Sequence, residues 1–142
     1  MSVVVDASVA AQWVVLQEHT NTARTLLQSP HELVAVDLIR AEVFNTLLRA
    51  IRAKRLDLAA AKMSVQFFER VPLRLQPTSP YASEAFAIAQ QQGGSVYDAC
   101  YIALARSLGA PLATGDERMA SIAETLQLPV YRLTTGFAAL LD

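Results

Sequence analysis

Val3-Val4-Val5-Asp6-Ala7-Ser8-Val9 decides how the rest of the chain is read. Three consecutive β-branched residues make a short strand that is apolar on both sides, the pattern of a strand buried on both faces of a parallel sheet. Asp6 ends that run, and apolar positions through Trp13 and Leu16 then follow a helical period. A strand handing over to a helix at an aspartate is the opening unit of an α/β architecture. It also sets a carboxylate at the carboxyl end of a strand, the edge where ligands collect in open α/β sheets.

Outward from this unit the same handover repeats. Leu33-Val34-Ala35-Val36 reads as a second strand, and Asp37 opens a helix to about Ala53 whose Val43, Phe44, Leu47, Leu48 and Ile51 form one apolar face. Asp57 caps a helix carrying Ala59 to Phe68, which stops before Pro72. Leu73-Arg74-Leu75 is a short strand, and Pro80 begins a helix to about Gln92 that Gly93-Gly94 ends. Ser95 opens a helix to Leu108 with Gly109 as its C-cap, Pro111 to Thr114 is a strand, Asp116 leads a helix to about Leu126, and Val130 to Leu133 is the last strand. Strands alternating with helices predict a parallel, helix-covered sheet. With no linker, low-complexity stretch or internal repeat, the 142 residues read as one domain, 1–142.

Composition narrows the class. The chain is 53% hydrophobic and 18% charged, against about 45–50% and about 25% in ordinary globular domains, which predicts a self-association face. Apolar runs fall far short of the roughly 20 residues that span a bilayer, and the first residues lack a charged segment and cleavage site, so no membrane and a cytoplasmic location are expected. One cysteine, Cys100, makes no internal disulfide and reads as apolar filling. A net charge of −1 supplies no global positive field, so any nucleic-acid binding must rest on a local patch or on bound metal. His19 and His31 lack spaced partners for zinc, no glycine-rich phosphate loop occurs, and no nucleophile elbow is present. An aspartyl-phosphate phosphatase would want an acid two residues after Asp6, where Ser8 stands.

Four acids remain: Asp6, Glu42, Asp98 and Asp116. Each has an ordinary structural explanation. Asp6 suits a helix N-cap, Ser95-Val96-Tyr97-Asp98 fits a capping box, and Glu42 sits on a polar stripe with Asn45, Thr46 and Arg49 that a solvated face would also show. Thr114 with Glu117 fits another capping box, which leaves Asp116 without a capping duty. On a helical wheel at about 100° per residue, Asp98 shares the arc of Tyr101, Ile102 and Ala105, and a carboxylate facing that way needs a partner. Taken together, acids at the strand-to-helix junctions of one sheet can meet in one crevice, and converging carboxylates call for a hard cation such as Mg²⁺ or Mn²⁺. The basic cluster Arg49, Arg52, Lys54 and Arg55 reads equally as a phosphate-binding patch or as a complement to the helix dipole.

These residues resemble the PIN-domain ribonucleases, and within them the VapC-like toxins of prokaryotic toxin–antitoxin pairs. The likeness runs over nearly the whole chain and rests on Val3 to Val9, on Ala41-Glu42-Val43-Phe44-Asn45-Thr46-Leu47, on Ser95 to Ala105, and on Pro111 to Met119, in matching order and spacing. Val36 stands where such toxins often have proline, and Met119 where leucine is commoner. The resemblance implies a three-layer α/β/α sandwich with a five-stranded parallel sheet, a homodimer, and RNA cleavage by water that Mg²⁺ or Mn²⁺ activates. It implies Asp6 and Asp98 as metal ligands, Glu42 and Asp116 completing the acidic pocket, and Ser8, Asn45 and Thr114 in support. It further implies RNA as substrate and a small cognate antitoxin protein as partner. The alternative is a non-catalytic PIN-like interaction module that keeps the scaffold and uses its apolar surface for partners.

Overall fold

Five parallel strands form one sheet in the order β3-β2-β1-β4-β5: β1 is Ser2–Val5, β2 Glu32–Val36, β3 Leu73–Gln76, β4 Leu112–Thr114 and β5 Val130–Arg132. The structure is a computed structural model, and it describes all residues from 1 to 142. Helices α1 (Ala7–Val14), α2 (Thr20–Thr25), α3 (Leu38–Arg52) and α4 (Leu58–Arg70) occur before β3, whereas α5 (Ala82–Gln92), α6 (Val96–Leu108) and α7 (Glu117–Thr125) follow it. The chain first steps β1 to β2 to β3, then returns to the far side of β1. Right-handed crossovers therefore set the first four helices on one face and the last three on the other, and α1 packs on α2, α3 and α4 while α6 packs on α5 and α7. The three-layer expectation holds.

The central strand carries the reason for this order. Val3, Val4 and Val5 are fully buried, paired in register with β2 through Val3 opposite Leu33 and with β4 through Val5 opposite Ala113. Only a strand covered on both faces and both edges tolerates three such residues in a row. Because β1 lies where the strand order reverses, a crevice opens at its carboxyl end, between the loops that leave β1 and β4.

Several local readings change. The first helix stops at Val14 rather than Leu16, and Leu16 is 87% exposed. Beyond it lies the unanticipated α2 and a 3₁₀ turn at Leu26–Gln28. This helix is six residues long with no side-chain cap, and it is tied down from outside: Trp13 Nε1 donates to the Ala23 carbonyl at 2.8 Å and Arg24 donates to the Trp13 carbonyl at 2.9 Å. Helices this short are held by tertiary contacts and leave no periodic signal. Asp37 occupies the N-cap position of α3 without capping it, since its Oδ1 accepts from the Thr78 amide at 3.1 Å and the Thr78 hydroxyl at 2.6 Å. Pro80 lies in a 3₁₀ turn, Ser79–Tyr81, and α5 starts one residue later. At the end of the chain, Phe137 and Leu140 are buried and seal the core. Leu58, Met63 and Phe67 on α4 remain exposed, as do Phe86 and Tyr97. No helix is long and apolar enough to cross a membrane.

Candidate active site

Asp6 sits at the carboxyl end of β1 and is the N-cap of α1, with its Oδ1 accepting from the Val9 amide at 3.2 Å. Unlike most capping aspartates it is 1% exposed. The Ser8 hydroxyl donates to the same oxygen at 2.6 Å, and the Thr114 hydroxyl donates to Oδ2. Burial pushes its carboxyl up to about 6 from an ordinary 3.8, although the bonds from Ser8, Thr114 and Val9 pull it back, and the charge of Asp116 adds a smaller upward push. Loss of water costs more here than three hydrogen bonds return.

Ser8 and Thr114 stitch the two central strands together around that carboxylate. Ser8 Oγ accepts from the Gly115 amide at 2.7 Å, and Thr114 Oγ1 accepts from the Asp116 amide at 3.0 Å. A side chain at Gly115 would place its Cβ 3.3 Å from Ser8 Oγ and 3.0 Å from the Leu133 side chain, a tight fit that either neighbour would have to yield to by a few tenths of an ångström.

Asp116 corrects an expectation. It does cap a helix: its Oδ1 accepts from the Met119 amide at 3.0 Å, as N-cap of α7. Thr114 is the last residue of β4, two residues before the N-cap, and its hydroxyl donates to Asp6 while the only amide it accepts from is that of Asp116. Glu117, the supposed box partner, instead pairs with Arg132 at 3.0 Å. Asp116 is not a wall of the cleft, yet its negative charge raises both Asp6 and Asp98.

Asp98 and Glu42 come from opposite faces of the sheet. Asp98 lies in the first turn of α6, where the Ser95 hydroxyl accepts from its amide at 3.1 Å, and its half-buried carboxylate lines the cleft. Its carboxyl is raised by burial and by Asp116, against lowering by Ser95 and by the Arg118 guanidinium. Glu42, in the first turns of α3, accepts at Oε1 from the Tyr101 hydroxyl at 2.6 Å. Burial raises Glu42, the Tyr101 bond lowers it, and Asp98 raises it further. The stripe of Glu42, Asn45, Thr46 and Arg49 that resembled a solvated face is one wall of the cleft.

Tyr101 escaped the reading of the sequence as a site residue. The helical wheel sets it on the core arc, where it is 1% exposed, but its hydroxyl reaches Glu42 at the cleft. The signal was present: Asp98 and Tyr101 are three residues apart on α6 and so share a face, and a buried phenol ordinarily finds a partner. Gln12, also in the lining, left no such signal.

The cleft holds about 450 Å³ and is lined by Asp6, Glu42 and Asp98 with Ser8, Asn45 and Arg49 among others. The donors are all oxygen, which selects a hard cation. No three of the acids close on a common point tightly enough to cage an ion. Mg²⁺ asks for no such cage, since it keeps several waters and binds through one or two carboxylates together with substrate phosphates. Raised carboxylates that repel one another in a polar cleft fit a divalent cation, and Asp6, Glu42 and Asp98 form no ion pair within the protein.

The family model described as PIN domain matches residues 3–125. Ribonuclease VapC3 of Pyrobaculum aerophilum is 34% identical over 131 residues, covering 91% of this chain and all of that protein. The chain belongs to the PIN-domain family. Among solved structures, its fold is similar to Mycobacterium tuberculosis VapC20, described as a sarcin-ricin loop cleaving toxin, with a TM-score of 0.68, 19% identity, and coverage of 84% of this chain and 93% of that one. It is likewise similar to a chain of VapBC2 from Rickettsia felis, solved bound to a DNA fragment from their promoter, with a TM-score of 0.65, 14% identity, and coverage of 93% and 98%.

Proposed function

We propose that the protein is an endoribonuclease toxin that hydrolyses RNA phosphodiesters with a divalent cation, Mg²⁺ or Mn²⁺, held by Asp6 and Asp98. The observation that carries the reading is Asp6: a fully buried carboxylate pushed up to about 6, at the switch point of the sheet, beside two further raised acids. A fold does not keep so costly an arrangement for packing, because an apolar residue of the same volume would be cheaper. The kinship with Ribonuclease VapC3 supports RNA as substrate.

When bound, the cation supplies a water of lowered pKa and neutralises charge gathering on the phosphorus. The rest falls to the chain. Ser8 and Thr114 aim both oxygens of Asp6 and keep it from rotating. Tyr101 holds Glu42 with one oxygen bonded and the other free to orient water or accept its proton. Asp116 adds negative potential from behind Asp6 and Asp98 and strengthens their demand for a cation. Asn45, one turn after Glu42, offers an amide to the substrate. Attack by water on phosphorus with departure of the 3′-oxygen leaves a 5′-phosphate end.

A small antitoxin protein that covers the cleft and a homodimeric state complete the proposal. Antitoxin-bearing relatives such as VapBC2 support the first, and the exposed apolar side chains of α4 and α5 support the second. Incubating the purified protein with total RNA and Mg²⁺ or Mn²⁺, then mapping new 5′ ends, tests the reading. Discrete cleavage is expected, lost in excess EDTA with an unchanged circular dichroism spectrum and lost in Asp98→Asn. Cleavage that persists in EDTA sinks the metal mechanism, and an inert parent protein leaves a non-catalytic interaction module.

A further inference from the structure

An acidic cleft repels the polyanion it is meant to cut, so something must hold the strand there. Four of the ten arginines, Arg106 with Glu84 at 3.5 Å among them, are already neutralised by a carboxylate. Arg40 pairs with Glu69 at 2.6 Å, Arg74 with Glu32 at 3.0 Å, and Arg132 with both Glu117 and Glu124. Two arginines bordering the acids form no ion pair, although the Arg118 guanidinium is near enough to Asp98 to lower its carboxyl. Arg49, on the α3 wall, bonds only the Thr46 hydroxyl at 3.2 Å. Arg118 makes no hydrogen bond or ion pair within the protein.

Arg118 is the more telling of the two. It occupies the second position of α7, where the positive end of the helix dipole disfavours a cation. Its neighbour Glu117 is turned away to Arg132. Its guanidinium is nevertheless well placed, lying so close over Gly93 that a Cβ there would stand 2.6 Å from its Nη2. Gly93 has φ +88° and ψ −172°, a backbone state open in practice to glycine alone, so the seat under the guanidinium is fixed by the chain. An exposed cation at an unfavourable helix end, seated but unpaired, is suited to an anion from outside. Asp98 and Met119 border both the main cleft and the small hollow that holds Arg118, so the two adjoin at Asp98.

We propose that Arg49 and Arg118 grip backbone phosphates of the RNA on opposite sides of the acids, so that the strand runs from the α3 wall across Asp98 to the start of α7. This rests on the ribonuclease reading and adds its substrate-positioning residues. The planar fork of arginine suits phosphate oxygens, and it loses little solvation in binding them.

The test measures cleavage of total RNA at saturating Mn²⁺, together with binding of a fluorescent mixed-sequence single-stranded RNA across a salt series by the Asp98→Asn protein carrying each change. Arg49→Ala and Arg118→Ala should each weaken binding roughly tenfold and raise KM more than they lower kcat. Each should also flatten the slope of log affinity against log salt by about 0.7, the share of one phosphate contact on a single strand. Arg70→Ala, which removes an exposed charge at the end of α4 that leads into β3, is the charge-matched control and should do neither. Unchanged KM and salt slope in both cleft variants, a response from only one of them, or an equal loss in Arg70→Ala overturns the two-sided grip. In each of these cases a parent that still cuts RNA in a metal-dependent way leaves the ribonuclease reading standing. A parent that neither binds nor cuts RNA removes that reading and the grip with it.

Discussion

Asp6 and Asp57 begin as the same local device. Each precedes a helix in an extended conformation and caps it by accepting the amide three residues on, Val9 at 3.2 Å in one case and Ala60 at 2.7 Å in the other. One lies at the carboxyl end of the central strand, buried, with two hydroxyls donating to it; the other opens α4 on the surface with no further partner. A cap on the surface contributes only its hydrogen bond. A cap at a sheet switch point also becomes a desolvated charge, and the same side chain acquires chemistry.

The two sites should separate most in activity. Asp6→Asn is expected to cut RNA cleavage by more than about a hundredfold, since a ligand should matter at least as much as the outer-sphere groups around a metal, whereas Asp57→Asn should stay within about twofold of the parent, asparagine capping as well as aspartate. Initial rates on total RNA decide it, and equal losses in the two variants would erase the contrast.

Stability should move the opposite way. Because the folded carboxyl of Asp6 lies near 6 and the unfolded one near 3.8, the native state holds more protons between those values. Its burden on stability is absent below about pH 4, grows as pH rises through 6, and is complete above. Asp6→Asn should therefore stabilise the metal-free protein by up to about 3 kcal/mol at pH 7.5, the equivalent of about two pH units. Thermal unfolding in EDTA as a function of pH reads this directly; an advantage that does not shrink between pH 6 and 4 would mean that burial of charge is not its cause.

A smaller effect sharpens the role of the cleft's other wall. Tyr101→Phe removes the bond that lowers Glu42, so the acidic limb of the pH–rate profile should shift to higher pH, with about a tenfold loss at neutral pH. A profile that keeps its shape would assign Tyr101 to packing. The smallest change belongs to the surface cap, where Asp57→Ala should cost about 1 kcal/mol in denaturant unfolding and leave cleavage untouched.

Legibility in the sequence followed physical range. The strands β1 and β2, the helix from Ser95, and the Gly109 terminus were readable because burial on both faces, capping and left-handed turns act within a few residues. The helix at Thr20 was not, because its hydrogen bonds run to Trp13 across a loop. The same limit applies inside the site. The element order sets Asp6, Glu42 and Asp98 where the structure gathers them in one cleft, but the capping roles of Thr114 and Asp116 are exchanged, because β4 extends through Thr114 and turns its hydroxyl onto an acid 108 residues away.

By itself, the sequence determined the alternation of elements, the carboxylates at their junctions, and through its resemblance the family. The tertiary structure alone decided which aspartate is dry and which is wet, that Tyr101 serves Glu42, and that Arg49 and Arg118 go unpaired. Those outcomes depend on local dielectric and on side chains far apart in the chain, and no pattern of neighbouring residues encodes either.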